Sequence, residues 1–126
     1  LAWTLTRRRD ATITRHVLNA AVGRRHPDRG LIFHSDRGSE YLAARFRDRL
    51  AQLGILQSAN TSGPGDNAHM ESFFHSLKAE TTRGMTFTTD QALRALLHRY
   101  FRYYNHERSH SALGFQSPVQ YEAHAA

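Results

Sequence analysis

Phosphoryl chemistry needs hard oxygen donors for a divalent cation and a positive group for the phosphate backbone. Asp36, Glu71 and Lys78 supply that set. Glu71 lies 35 positions beyond Asp36, and Lys78, the single lysine among 17 basic residues, lies seven beyond Glu71. Two carboxylates drawn together from distant parts of a chain can bind Mg²⁺ or Mn²⁺. A spacing of seven puts a helical lysine two turns from the glutamate, on the same side of the helix. In isolation each residue also has an ordinary reading: Asp36 as a turn residue, Glu71 as a solvated helix position, Lys78 as an exposed amine.

The elements around these residues are legible in outline. Leu31-Ile32-Phe33-His34 is an apolar run suited to a short, fully buried strand. The polar turn Ser35-Asp36-Arg37-Gly38-Ser39 follows it, so Asp36 stands at the carboxyl end of a strand, where open α/β sheets place ligands. Ser39 reads as the cap of one helix carrying Leu42, Phe46, Leu50 and Leu53, which Gly54 stops. Ile55–Ser58 is a second short strand. Strand, helix, strand over so short a span predicts a βαβ unit with parallel pairing.

On either side of this unit the pattern is helical. Leu1–Leu5 alternates as the end of a strand does, and Asp10 caps a helix with Ile13, Val17, Leu18 and Ala21 on its apolar face. Residues 59–67 (ANTSGPGDN) form a loop, after which Asp66 or Asn67 caps a helix with Met70, Phe73, Phe74 and Leu77, broken at Gly84. Thr88 or Thr89 caps a long helix with Leu93, Leu96, Leu97, Tyr100, Phe101 and Tyr104 on one face. The aromatic residues of these two helices read as core before base-stacking groups. Pro118 opens one more helical turn. His106 and His110, four apart, suit one face of a helix and a zinc site, although no third ligand is evident. His69 and His75 flank Glu71 without sharing its face.

Composition bounds the function. At 126 residues with 40% hydrophobic content, the chain fits one folded domain with a single core. It has no apolar run long enough to span a membrane and no secretory pattern, and its lack of cysteine excludes a disulfide framework and favours the cytoplasm. A net charge of +6 favours a polyanionic partner, DNA above all. The basic side is almost entirely arginine, so compositional bias accounts for part of that charge.

Three blocks then carry a specific resemblance: HSDRGSEY at His34–Tyr41, DNAHMESFFHSLKAE at Asp66–Glu80 and YYNHERSHSALGFQSP at Tyr103–Pro118. In this order and at these separations the chain resembles, from Leu1 to about Tyr121, the integrase-type catalytic core of bacterial insertion-sequence transposases. These are members of the DDE superfamily that includes retroviral integrases. The resemblance implies an α/β, RNase H-like fold with sheet order 3-2-1-4-5, and metal-dependent DNA cleavage and strand transfer at transposon ends, with two Mg²⁺ or Mn²⁺ ions in the complete enzyme. Asp36 then matches the second acidic residue of the triad and Glu71 the third. Lys78 matches the basic residue that contacts transposon-end DNA, Asn67 matches the Asn of the D-N-A-x-x-E block, and Arg37 shapes the strand-end turn and joins the DNA-binding set. Tyr104, Asn105, Arg108 and His110 match a tail motif, structural or DNA-facing in role.

The first acidic residue of the triad has no evident match. Upstream of Asp36 stand only Asp10, which reads as a helix cap, and Asp28, which reads as a loop residue. The resemblance makes Leu1–Leu5 the third strand, so the expected architecture is an RNase H-like core lacking its first two strands, with a largely helical C-terminal half. Residues 1–113 would form the partial core and 114–126 a tail. An open sheet edge would follow, with Leu1–Leu5 unable to reach its usual place except by a rearranged pairing, together with low stability or completion by a second copy or a missing half such as a full-length transposase supplies. Three functions fit: a transposase core inactive by itself, acting on transposon ends and target DNA at the bacterial nucleoid; a non-enzymatic DNA-binding or transposase-interfering remnant; and an independent nuclease, which requires Asp10 to stand in for the missing acid.

Overall fold

The computed structural model describes residues 1–59 and 67–125. The chain divides into two compact units, Leu1–Met70 and Glu71–Ala126.

The first unit is built on a βαβ crossover. Helix α1 (Ala11–Arg25) starts at Asp10, whose side chain accepts the Thr12 N–H at 2.6 Å, and ends at His26 in the left-handed region. Strand β1 (Ile32–Ser35) leads through the Asp36 turn into α2 (Ser39–Leu42) and α3 (Ala44–Leu53); strand β2 (Leu56–Ala59) then pairs with β1 in parallel, Ile32 against Leu56 and Ser35 against Ala59. Gly54 ends α3 at φ +69°, a conformation in which a Cβ would also strike the Arg29 side chain. The core is Leu18 from α1, Phe46 and Leu50 from α3, and Ile55.

The structure corrects several expectations. Leu1–Leu5 is not a strand: among the described residues the sheet has two strands, and a segment with no ladder to join cannot hold strand geometry. Arg24 instead donates to the Leu1 carbonyl at 2.6 Å and holds this segment by α1. Nor is β1 fully buried. Ser35 is buried, but Ile32 is 63% exposed and its cross-strand neighbour Leu56 is 59% exposed. Helices cover only the opposite face, where Phe33 meets Tyr41 and Phe46.

The helix expected from Ser39 is two helices, and Ser39 does not cap it. Gly38 occupies the N-cap of α2, and Ala43 at φ −58°, ψ 137° separates α2 from α3. The break has a packing reason. Residues five apart on a continuous helix point about 140° away from each other. With Ala43 extended, Tyr41 and Phe46 both reach Phe33, with ring centroids 6.0 and 5.3 Å away.

Helix α4 (Ala68–Leu77) leads into the second unit and passes directly into a π-helical turn, Lys78–Thr82, instead of running as one helix to Gly84. The Arg83 N–H reaches back five residues to the Lys78 carbonyl at 2.8 Å. Helix α5 (Asp90–His106) is capped by Thr89, whose hydroxyl accepts the Ala92 N–H. Its predicted apolar face is the observed one: Tyr100 is buried and Leu93, Leu96, Leu97, Phe101 and Tyr104 are half-buried. Phe73 of α4 stacks on Phe101 and meets Tyr104 edge-on, so these half-buried rings pack together as their spacing predicts, whereas Met70 and Phe74, expected on the same apolar face of α4, are exposed.

A 3₁₀ turn at Ser111–Leu113 precedes α6 (Pro118–Ala125). Ser117 and Gln120 form a reciprocal capping box with Pro118 at the first helical position, and the helix is longer than the single turn expected. His106 and His110 do not share a helix face: α5 ends at His106, and His110 forms an isolated bridge with Gln116. At the end of α5 the Glu107 and Arg108 N–H groups both donate to the Tyr103 carbonyl, and the Arg108 side chain meets Glu80.

Candidate functional site

Asp36 and Arg37 belong to the first unit, Glu71 and Lys78 to the second. Each group is built by its own local structure.

At the end of β1, the Ser35 hydroxyl donates to the Asp36 carbonyl at 2.9 Å. Oδ1 of Asp36 accepts the Gly38 N–H at 2.9 Å, closing a tight side-chain turn. This bond fixes the carboxylate while leaving the residue exposed to solvent. Gly38 also leaves room beside the carboxylate. A Cβ there would lie 3.0 Å from Asp36 Oδ1 and 2.9 Å from Glu40 Oε2. The bare α-carbon therefore leaves a cradle in which the carboxylates of Asp36 and Glu40 approach each other. Both act on Tyr41, whose phenol is pushed up first by burial and then by these charges, with Arg9 opposing. Gln57 of β2 donates to the Tyr41 carbonyl at 2.8 Å and ties α2 to the sheet. Sequence reasoning missed Glu40, because residues four apart meet predictably only within a helix and Asp36 lies in the turn before α2.

Asn67, half-buried, immediately precedes α4, and Glu71 is exposed in the first turn of that helix, where a negative charge suits the helix dipole. The alternative cap, Asp66, and the loop residues 60–66 lie outside the described residues. Lys78 is exposed and opens the π-helical turn. His69 and His75 are exposed on α4.

The turn that begins at Lys78 is held from the C-terminal side by the tail motif. Arg108 Nη2 lies 2.8 Å from Glu80 Oε1, and Nε donates to both carboxylate oxygens at 3.0 and 3.2 Å. This charge-assisted bond raises the arginine's pKa beyond its ordinary value. The guanidinium also lies 5.7 Å from the centre of the Tyr104 ring, and Tyr104 meets the His110 ring edge-on at 4.6 Å. Asn105 donates to the Phe101 carbonyl at 2.6 Å. Beneath the pair lies Tyr100, its hydroxyl buried without a hydrogen-bond partner among the described residues. Burial, and secondarily the Glu80 charge, pushes this phenol up to about 12. Nothing in the spacing of Glu80 and Arg108, 28 positions apart, announces their contact.

In donor chemistry, Asp36 and Glu40 offer hard carboxylate oxygens, a set that suits Mg²⁺ or Mn²⁺ and not a soft metal. Among the described residues no three His, Asp or Glu side chains are gathered to hold a metal. Asp10 is engaged in capping α1 and Asp28 is exposed in the loop before β1.

Two family models, both described as integrase core domains, match this chain, one over residues 1–64 and the other over residues 71–125. The transposase for insertion sequence element IS904 of Lactococcus lactis is 36% identical over 124 residues, which cover 97% of this chain and 49% of the relative. Transposase InsF for insertion sequence IS3A of Escherichia coli is also 36% identical over 124 residues, covering 97% of this chain and 43% of the relative. The chain thus spans less than half the length of these relatives. A simian T-cell lymphotropic virus intasome, solved in complex with PP2A regulatory subunit B56 gamma, contains a chain of similar fold: TM-score 0.65 at 17% identity, covering 93% of this chain and 41% of that one. With a carboxylate fixed at the end of a parallel βαβ unit and relatives of this kind along nearly its whole length, the chain belongs to the integrase core domain family.

Proposed function

We propose that this chain is the RNase H-like core of an insertion-sequence transposase and that its chemistry is DNA cleavage and strand transfer, in which a hydroxyl attacks a phosphodiester in line and the leaving oxygen departs opposite. Asp36 and Glu71 together hold Mg²⁺ or Mn²⁺, which when bound supplies charge stabilisation for the attacking and leaving oxygens. Lys78, Arg37 and Asn67 hold the DNA backbone. One observation carries the reading: the exposed Asp36 carboxylate, locked by the Gly38 N–H at the carboxyl end of β1. The strand-end position and the oxygen donors suit a cation facing phosphate.

Residues 1–126 match two of the three acidic positions of the triad, and a complete site takes a third carboxylate. The exposed apolar face formed by Ile32 of β1 and Leu56 of β2 suits packing or pairing with a further element, a second copy or a full-length transposase among them. The action is at transposon ends and target DNA of the bacterial nucleoid.

The test is Mn²⁺ titration watched by paramagnetic NMR broadening. The amides around Asp36 and those around Glu71 are expected to broaden together, and Asp36→Asn and Glu71→Gln are each expected to abolish the effect. Broadening around one residue alone overturns the shared site. A second reading, DNA binding without catalysis, is favoured by the engagement of Asp10 as a helix cap. It predicts duplex binding that is abolished in Lys78→Ala, untouched by Asp36→Asn, and without strand transfer when a complete core is supplied.

A further inference from the structure

Helices α1 and α3 enclose an open cleft of about 350 Å³ lined by Arg15, Arg45, Asp48, Arg49 and Gln52. Three guanidinium groups in one cleft repel one another and gain from dispersing into solvent, so their retention there needs a cause. Two of them are anchored. Arg45 Nη1 donates to the Thr12 hydroxyl at 2.7 Å. Arg49 Nε donates to Asn19 Oδ1 at 2.7 Å, and its Nη1 donates to Gln52 Oε1 at 3.1 Å. All three acceptors are neutral, so the bonds fix the side chains without cancelling their charge. No carboxylate is within salt-bridge distance of Arg15, Arg45 or Arg49 among the described residues. Asp48 lines the cleft without an ion-pair partner among them, and Asp10, near enough to Arg45 for its pKa to be lowered partly by that charge, is committed to the α1 cap.

An arginine carries five N–H donors in a rigid fork. Arg49 uses two of them here and Arg45 one, which leaves most of the donors to a ligand. Arg45 and Arg49 are four apart on α3 and so occupy one face of it on successive turns. Anchoring by neutral groups removes part of the entropy that long side chains lose on binding. The polar, open, positively charged surface suits an extended polyanion and not an apolar molecule.

We propose that this cleft is a second DNA-backbone contact, in which Arg15, Arg45 and Arg49 seat phosphates of a duplex. The inference rests on the reading of the chain as a DNA-handling core, and adds a binding surface on the first unit to the one assigned to Lys78 on the second. Asp48 opposes binding, because an entering phosphate brings its negative charge beside a carboxylate.

The test is equilibrium binding of a short random-sequence DNA duplex to the full chain, followed by fluorescence anisotropy over a range of salt concentrations. Each phosphate that the protein no longer neutralises flattens the plot of log affinity against log salt by about 0.9. The double substitution Arg45→Ala/Arg49→Ala is therefore expected to flatten it by nearly 2 and to weaken low-salt binding by about tenfold or more. Asp48→Asn is expected to tighten binding about two- to threefold. Thr12→Ala with Asn19→Ala keeps every charge, so it is expected to weaken binding with little change in slope; circular dichroism melts check that these variants remain folded.

Arg94→Ala/Arg99→Ala, which removes two exposed charges on α5, is the charge-matched control. If the Arg45/Arg49 variant behaves like this control and Asp48→Asn has no effect, the cleft does not touch DNA. If binding disappears in Lys78→Ala but is insensitive to Arg45 and Arg49, this inference fails while the proposed function stands. A wild-type chain that binds no duplex overturns both.

Discussion

Arg108 meets Glu80 through three nitrogen–oxygen contacts, at 2.8, 3.0 and 3.2 Å, and so joins the end of the long helix to the π-helical turn that begins at Lys78. The turn is also held by the Arg83 N–H on the Lys78 carbonyl. Arg108→Ala is expected to speed hydrogen exchange at the Arg83 amide and to lower stability by about 1–2 kcal/mol, the range for a charge-assisted bond that is only partly shielded. Arg108→Lys keeps the charge but loses the fork, and is expected to recover only a fraction of this. Unchanged exchange at Arg83 in the alanine variant would show that the turn stands without the clamp.

Gly38→Ala isolates the carboxylate cradle from the fold. Gly38 sits at φ −54°, which alanine adopts freely, so backbone cost is expected to stay below about 1 kcal/mol. The new methyl nevertheless meets Asp36 Oδ1 and Glu40 Oε2 at about 3 Å, so the carboxylates must move. Weaker Mn²⁺ binding by EPR, with little change in melting temperature, is the expected outcome. Wild-type Mn²⁺ affinity in this variant would remove Asp36 from the metal site.

Tyr100→Phe removes a buried hydroxyl that has no hydrogen-bond partner among the described residues. An unpaired buried polar group costs about 1–3 kcal/mol, so the variant is expected to be more stable by about 1 kcal/mol. The titration gives a second readout. The phenol is raised to about 12 in the folded chain against an ordinary value near 10. The fold therefore favours the neutral phenol, and stability falls as pH climbs from ~10 toward ~12 and the unfolded chain ionises first. Melting temperature should fall less steeply across this range in Tyr100→Phe than in wild type. Equal slopes in the two chains would contradict the assignment.

Ile32→Lys tests the open face of the sheet. Ile32 is 63% exposed and touches no part of the core cluster, so its loss is expected to change stability by no more than about 0.5 kcal/mol. A charge at this position blocks strand addition. Sedimentation velocity is expected to show self-association of the wild-type chain at high concentration and its absence in Ile32→Lys. A wild-type chain that stays monomeric would exclude pairing between copies.

Among the described residues no helix is long and apolar enough to cross a bilayer.

Much of this molecule could be read directly. Asp10 as a cap, Gly54 as a helix stop, Thr89 as a cap and the broad apolar face of α5 all depend on neighbours within a turn or two, and all stand where their spacing puts them. Parallel pairing of β1 and β2 was legible for the same reason, since a strand, a helix and a strand in so few residues leave little other choice. Integrase core membership was legible because three blocks of specific residues keep their order and separation. Leu1–Leu5 misled because strand alternation has no meaning without a neighbour strand, and the burial of β1 misled because an apolar run does not reveal whether both faces are covered.

The amino-acid order by itself determined much of the local grammar of the chain: the caps at Asp10 and Thr89, the stop at Gly54, which strand precedes Asp36, and which family the residues belong to. Only tertiary structure decided that Ala43 breaks a helix to bring Tyr41 and Phe46 onto Phe33, that Gly38 makes room for two carboxylates, and that Arg108 closes on Glu80. The physical reason is range. Capping and periodicity act over a few residues and leave a mark in spacing, whereas packing and ion pairing join residues whose separation along the chain carries no signal.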